Sequence, residues 1–430
     1  MSAPAASLEA TAARALARMR EAGFEHAQVC ASRTALLELN LNHDEPSLLR
    51  STEARKLAVC GLIDARKASA ELSDFDDTVV SRRIAALFAD AARAPQDDAN
   101  AVSANQQARI VQGPQTGDPE ALADKAAELL AFRAREAPKT MVEEASVSHV
   151  RVDSHSLTSA GSALACNVGW YEATVMATAR DGKRVSSFNY TGGTAHGLAD
   201  RHIAECFGLG EMLRDTERQI DTRPLDAKFS GEAILMPHAV TDLLDWLLEQ
   251  ISDTQLIAGT SLYRGAVGEP IASPLLGLVS RFDAPGVAAV SADAFATPPV
   301  EILREGRLMN LTPSLYGSRK TGLRHVPVAD AGWEIPAGAT PLAEMVAAVP
   351  RGALIGRLSM GNPASNGDFS GVIKNSFAIT GGKPNGALAE TMVTGNVARM
   401  LRDVVAVSRE RIDGGRTALP WLRIAGLQFS

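Results

Sequence analysis

Between residues 271 and 377 the chain is interrupted every few positions by Gly or Pro, with short apolar runs between. Long helices are excluded there, because Pro removes a backbone donor and Gly loses the most conformational freedom on ordering. Many short strands at close spacing point to a curled sheet or barrel. The segment 300–311 reads as one of its hairpins, turning at Glu305-Gly306. Ahead of this stretch, 231–235 reads as a short strand and 238–251 as a helix. Behind it, 391–407 reads as the last long helix and 421–429 as the last strand.

The N-terminal half has a different texture. Leu8, Ala12, Leu16 and Met19 recur at helical spacing, predicting a helix over 8–22 that Gly23 stops, after a disordered lead at 1–6. Strands follow at 27–40, 56–64 and 67–72. A second helix spans 74–92, with Asp74 as its N-cap and Val79, Ile84, Leu87 and Phe88 on its apolar side. Residues 94–118 are rich in Pro, Gln, Asn, Asp and Gly and read as a surface connection. A third helix is expected over 119–136, then short strands between 142 and 190, with Asp181-Gly182 as a hairpin turn. A helix over 195–213 closes this half. The expectation is an α+β chain. Its N-terminal α/β domain, residues 1–225, has helices flanking a sheet and a sub-boundary near 94–118. Its C-terminal domain, residues 226–430, is β-rich and barrel-like.

The residues are 46% hydrophobic and 22% charged, enough apolar surface for more than one core. The formal net charge of -7 comes with no Lys/Arg stripe and no interleaved aromatics, so a nucleic-acid partner is not expected. Cys30, Cys60, Cys166 and Cys206 lie far apart and form no CxxC, which favours a reduced, cytoplasmic setting over a disulfide framework. Residues 1–15 carry Glu9 and Arg14 and no continuous apolar run, so neither a signal peptide nor a membrane span is expected.

The common catalytic fingerprints are missing. The sequence has no GxxxxGK[ST], no GxSxG, no GxGxxG after a strand, and no His followed by Glu. His149, Arg151, Asp153 and His155 alternate along one strand and could share a face with metal-binding potential; the stronger expectation is a polar, solvent-facing sheet surface. His202 and Cys206 are four apart, without a third ligand, and read as a surface His beside a half-buried Cys. The most unusual segments are GNPASNGDFSGVIKN at 361–375 and TMVTGN at 391–396, whose Gly and Asn residues suit tightly turned backbone.

These segments carry a resemblance to the TldD/PmbA family. Residues 361–375 resemble its "NP…GDFS…G…I.NG" block, and ETMVTGNVARML at 390–401 resembles the following "ITIAGN…ML". The closing GGRTALPWLRIAGLQF, the opening LARMREAGFEHAQV, and Gly259-Thr260-Ser261-Leu262 with Gly268-Glu269 are similar to further family segments. The protease branch has HExxxH on a helix and a late Cys, which bind zinc and supply its general base. At the matching positions stand Asp245, Trp246 and Gln250, with Gly414 and Gly415 in the region of the Cys. The resemblance is therefore to the PmbA-like, or TldE-like, branch without that motif. Asn375 is followed by Ser376 where the family has Gly, and 379–390 is longer and richer in Gly than usual.

The resemblance implies a metal-free, non-catalytic subunit that pairs with a TldD-like HExxxH metalloprotease chain, with zinc in the partner, to bind and process peptides. It places Asn362, Asp368, Phe369, Ser370, Thr394 and Asn396 around a peptide-binding cleft, and no metal or catalytic residue in this chain. An extended peptide would bind by strand addition. The alternatives are a non-proteolytic homodimeric peptide-binding or regulatory module, which includes the family's label as a modulator of DNA gyrase, and a hydrolase with a metal site of its own.

Overall fold

A computed structural model describes residues 7–225, 227–329 and 332–430; the expected lead at 1–6 lies outside them. Helix α1 (Leu8–Glu21) is capped by the Ser7 hydroxyl, which accepts from the Ala10 amide. Strands β1 (His26–Asn42), β2 (Glu45–Ile63) and β3 (Arg66–Leu72) follow as an antiparallel meander. Helix α2 (Asp77–Arg93) is capped by Asp76, not Asp74; Asp76 accepts from the Thr78 and Val79 amides, while Asp74 accepts from Asp76 itself. After β4 (Gln107–Gln112) come α3 (Pro119–Glu136), β5 (Thr140–Thr158), β6 (Ala163–Asp181), β7 (Arg184–Val185) and β8 (Asn189–Ala195).

Among the described residues these strands form one eight-stranded sheet, ordered β3-β2-β1-β5-β6-β4, with β7 and β8 also on β6. Helices α1 and α2 cover one end around Met19, Val29, Leu57 and Ile84. Helix α3 and α4 (Leu209–Arg218) cover the other, around Leu129, Val147, Val175 and Leu213.

Three further expectations are corrected in this half. The connection 94–118 contains β4, which pairs parallel with β6. Residues 195–213 are not one helix: a single 3-10 turn (Ile203–Glu205) precedes α4, because Gly208 sits at φ +73° and starts a new segment. The short strands expected between 142 and 190 are two strands of 19 residues each, in register along nearly their whole length.

Among the described residues the second half is a curled fourteen-stranded sheet. It begins with β9 (Thr222–Arg223), β10 (Phe229–Leu235), α5 (Pro237–Gln250) and α6 (Asp253–Ala258). It continues through β11 (Leu278–Ser280), β12 (Glu301–Arg304), β13 (Arg307–Leu308), α7 (Leu315–Thr321), β14 (Trp333–Glu334) and α8 (Leu342–Ala347). The closing elements are β15 (Arg351–Ile355), β16 (Arg357–Ser359), β17 (Asp368–Lys374), β18 (Ser376–Thr380), β19 (Lys383–Leu388), β20 (Thr391–Asn396), α9 (Val397–Arg402), β21 (Val404–Asp413) and β22 (Thr417–Phe429). Strand β22 pairs with β10, β14, β20 and β21, and this sharing curls the sheet around α5.

The expected last helix over 391–407 is overturned. Thr391 and Val393 alternate inward with exposed Met392 and Thr394, a period of two, so the chain runs as β20 before six helical residues and β21. Helix α5 is the spine of this half. Pro237 occupies its first turn, and Ala239, Val240, Leu243, Leu244, Trp246 and Leu247 are buried. Leu243 and Leu247 are fully covered, each worth about 1.5–3 kcal/mol of transfer free energy.

Candidate functional site

The two sheets meet along β8. A buried Gln219 Nε2 donates to the Ser376 carbonyl at 3.0 Å, Asn375 Nδ2 to the Phe188 carbonyl at 3.2 Å, and the Thr194 amide to the Gly414 carbonyl at 3.0 Å. Between these ties the surfaces part into a cleft of two compartments that share Tyr190 and His238. The larger, about 700 Å³, runs along β8 from Tyr190 to Thr194 and past Gly414 and Arg416. The smaller, about 380 Å³, lies over α5, walled by Arg357 and the 358–363 segment.

Helix α5 presents His238, Asp242, Asp245 and Glu249 to the smaller compartment. Their spacing of four, three and four residues is one helical face, opposite the buried apolar one. His238 Nε2 lies 3.0 Å from the Thr191 hydroxyl. That hydroxyl gives its proton to the Phe207 carbonyl, so it accepts from Nε2–H, and His238 keeps its Nδ1 lone pair. Burial first, and the Arg357 charge second, push the His238 pKa down to about 4, so the ring is neutral at pH 7. Asp242 is pushed up to about 7 by burial and by Asp245, against the opposing pull of Arg357 and the Leu358 amide. Asp245 reaches solvent, yet crowding by the cleft walls raises its carboxyl pKa.

Arg357, on β16, donates to the Tyr190 carbonyl and lies 3.5 Å over the Tyr190 ring. Burial lowers its pKa, and no carboxylate is within ion-pair distance of it among the described residues. Tyr190 stacks on Phe188 at 6.3 Å, and the two are 48% and 58% exposed, leaving an aromatic step at the cleft mouth. Along β8 the Thr194 amide and the Tyr190 carbonyl point away from β6, as their bonds to Gly414 and Arg357 show. By the alternation of the ladder, Gly192 turns its amide and carbonyl the same way, into the cleft. The site thus offers a strand edge open at Gly192, an aromatic step, a guanidinium, a neutral imidazole and a carboxyl that titrates near neutrality.

The residues at the zinc-motif positions do not fit zinc. Trp246 Nε1 donates to the Ala364 carbonyl at 3.3 Å. Gln250 Nε2 donates to the Ser365 carbonyl at 3.1 Å, and its Oε1 accepts from the Leu262 amide at 2.9 Å. Both side chains are committed to holding loops. Gly414 and Gly415 offer no donor side chain. No group of three His, Cys, Asp or Glu suited to a metal occurs among the described residues.

Of the six expected cleft residues, Asn362 lines the smaller compartment. Asp368, Phe369, Ser370, Thr394 and Asn396 are brought together beside it by the β17–β20 pairing, with Asp368 opposite Asn396 and Ser370 opposite Thr394. Asn396 Nδ2 donates to Asp368 Oδ1 at 2.8 Å and to the Asn366 carbonyl at 2.9 Å, and its Oδ1 caps α9 at the Arg399 amide. Phe369 is buried in the core around α5. The 362–370 loop is therefore a wall braced from behind, with its Asn362 end in the cleft.

The His149 strand face is not solvent-facing as expected. Residues 113–117 cross it, His149 Nε2 lies 2.8 Å from the Pro114 carbonyl, and Asp153 is buried. Gly117 and Gly169 permit the crossing: a Cβ would meet the His149 Cβ at 2.7 Å or the Pro114 oxygen at 1.8 Å. His202 caps the 3-10 turn through the Ala204 amide, and Cys206 is buried, so the two share no helix face. Sequence reasoning missed His238, Asp242 and Arg357. A polar face at helical spacing opposite the apolar face of 238–251 was the available signal for the first two; Arg357 had none.

Residues 230–430 match the family described as PmbA/TldA metallopeptidase C-terminal domain. The whole fold is similar to TldE from Thermococcus kodakarensis, with a TM-score of 0.84 and 16% identity over 98% of this chain and 100% of that one. It is also similar to a protein from Bacteroides thetaiotaomicron described as a candidate modulator of DNA gyrase, with a TM-score of 0.84 and 20% identity over 98% of each chain. A Thermotoga maritima protein described in the same way gives 0.80 and 15% over 99% of this chain and 100% of that one. No curated protein matches the chain. Residues 230–430 are thus similar to that family's C-terminal domain, and the whole chain has a TldE-like fold.

Proposed function

We propose that this chain is a zinc-free subunit that binds an extended peptide in the inter-sheet cleft, while a TldD-like HExxxH partner chain supplies zinc and cleaves it. The β8 edge at Gly192, whose amide and carbonyl face the cleft without a partner among the described residues, is the observation that carries this reading, because a peptide backbone can pair there. The Phe188–Tyr190 step offers apolar contact to a side chain, and Arg357 offers a donor to a peptide carbonyl beside Tyr190. The filled zinc-motif positions support assigning hydrolysis to the partner. In this reading residues 1–225 and 226–430 act as two domains that form the cleft walls, and the assembly works in the cytoplasm.

Reconstitution with the TldD-like chain of the same host tests it. Neither chain alone should cleave an unfolded peptide library, the pair should, and a Gly192→Pro variant of this chain should abolish cleavage without preventing assembly. Full activity of the partner alone, or an unaffected Gly192→Pro pair, would overturn the assignment. Saturable peptide binding by a homodimer of this chain, with no stimulation of the partner, would favour the non-proteolytic module.

A further inference from the structure

On the helical side of the first sheet, away from the inter-sheet cleft, a cavity of about 310 Å³ opens between the start of α1 and the approach to α2. Its floor is a row of directly paired residues across four strands. Arg55 on β2 faces Arg33 on β1, Arg33 faces Asp153 on β5, and Asp153 faces Asn167 on β6. Arg151, two residues from Asp153 along β5, also lines the cavity.

Asp153 is buried and organises the floor. It accepts from Arg33 Nη2 at 2.7 Å, Arg151 Nε at 2.8 Å and Asn167 Nδ2 at 2.6 Å, which fixes both guanidiniums in place. Arg55 is held by Glu53 at 3.0 Å. Three guanidiniums thus face two carboxylates, one of which, Glu53, lies outside the cavity lining. Glu53 lies within ion-pair distance of both paired arginines, 2.9 Å from Arg55 Nη2 and 3.9 Å from Arg33 Nη1, and the three guanidiniums keep one positive charge in excess of the two carboxylates. Arg33 Nη1 has only Glu53 at 3.9 Å, beyond hydrogen-bond range, and Arg55 Nη1 has no acceptor among the described residues. The cavity therefore holds Nη1 donors of Arg33 and Arg55 that have no hydrogen-bond acceptor among the described residues. Leu8 and Phe75 give its rim an apolar side.

We propose that this cavity binds a small oxyanion, a phosphate or carboxylate group, between Arg33 and Arg55, with the apolar body of its carrier against Leu8 and Phe75. Planar guanidiniums match both groups through paired N–H donors. The cavity exceeds the size of a bare oxyanion, which leaves room for that body.

Calorimetric titration of the full chain at low ionic strength, with inorganic phosphate and separately with acetate, tests the proposal. At least one probe should bind once per chain. Phosphate binding alone marks a phosphate-bearing ligand, and acetate binding alone a carboxylate. Arg55→Gln should weaken the binding by at least about tenfold, because it removes charge-assisted bonds. Its fold should be kept, since Asp153 does not depend on Arg55. Arg409→Gln, an exposed change on the other sheet, should leave affinity unchanged. Absence of saturable binding by either probe overturns the proposal. Equal affinity in the parent and Arg55→Gln, an adventitious ion only, also overturns it.

Discussion

The side-chain amide of Gln250 donates to the carbonyl of Ser365 at 3.1 Å, tying helix α5 to the loop that forms one wall of the cleft. Gln250 is 1% exposed, and its oxygen also accepts from the Leu262 amide. In Gln250→Leu the apolar volume is kept but both backbone groups lose their partner. A buried unpaired polar group costs about 1–3 kcal/mol. Chemical denaturation should show a loss in that range, and a loss below the measurement error would mean that water replaces both bonds.

Asn396 combines two tasks, capping α9 and bracing Asp368. The Asn396 and Asn366 amides hold the Asp368 carboxyl below its ordinary range. Asn396→Ala should cost about 1 kcal/mol through the lost cap, and Asp368→Asn should lower the melting temperature less. If the loop is the braced cleft wall, Asn362→Ala should instead keep the melting temperature while weakening peptide binding by the assembled pair. A melting temperature unchanged in Asn396→Ala would remove the bracing role.

Arg357 lowers the Asp242 pKa, opposing the burial and the Asp245 charge that raise it. Replacing it with Leu should move the Asp242 titration, followed by carboxyl carbon NMR, above its value of about 7. It should also weaken peptide binding through the lost donor beside Tyr190. A titration that stays in place would show that Arg357 is too well screened to act on Asp242.

Helices whose caps and apolar faces are local were legible in the sequence. The boundaries expected for α3 are those found, because Asp118, Pro119 and the run to Phe132 specify it without help. Strands were harder wherever register depends on distant partners. Residues 391–407 contain helix formers such as Ala398, Met400 and Leu401, but Thr391 to Asn396 pair with β17 and β22, and that tertiary pairing outweighs local propensity. The 45–55 part of β2 lies outside the strands expected from the sequence; it is exposed throughout and is a strand through its pairing with β1. In the site, Asn362 was recognisable by its unusual loop. Arg357 lies 167 residues from the Tyr190 carbonyl it contacts, a pairing that no local pattern encodes.

His238 and Asp242 of the cleft, with Asp215 on α4, give stability opposed pH dependences over overlapping windows. His238 has its pKa lowered to about 4, so between that value and the unfolded value of about 6.5 the unfolded chain binds more protons. Its contribution to stability is full above about 6.5 and is lost as pH falls towards 4. Asp242 and Asp215 have their pKa values raised to about 7 and about 6, chiefly by burial, so above the unfolded value of about 3.9 the native chain binds more protons. Their contribution is full below about 4 and is lost as pH rises through 6 and 7. The windows overlap, and between about pH 4 and 6 the two carboxyls outweigh the one imidazole, so the stability these groups contribute should fall as pH rises. Denaturant midpoints measured from pH 4 to 8 should show His238→Gln steepening the fall in stability between pH 4 and 6.5 and Asp242→Asn flattening it. If Asp242→Asn leaves the slope between pH 5 and 7 unchanged, its carboxyl is already ionised in the native cleft, and Arg357 rather than Asp242 sets the charge presented to a peptide.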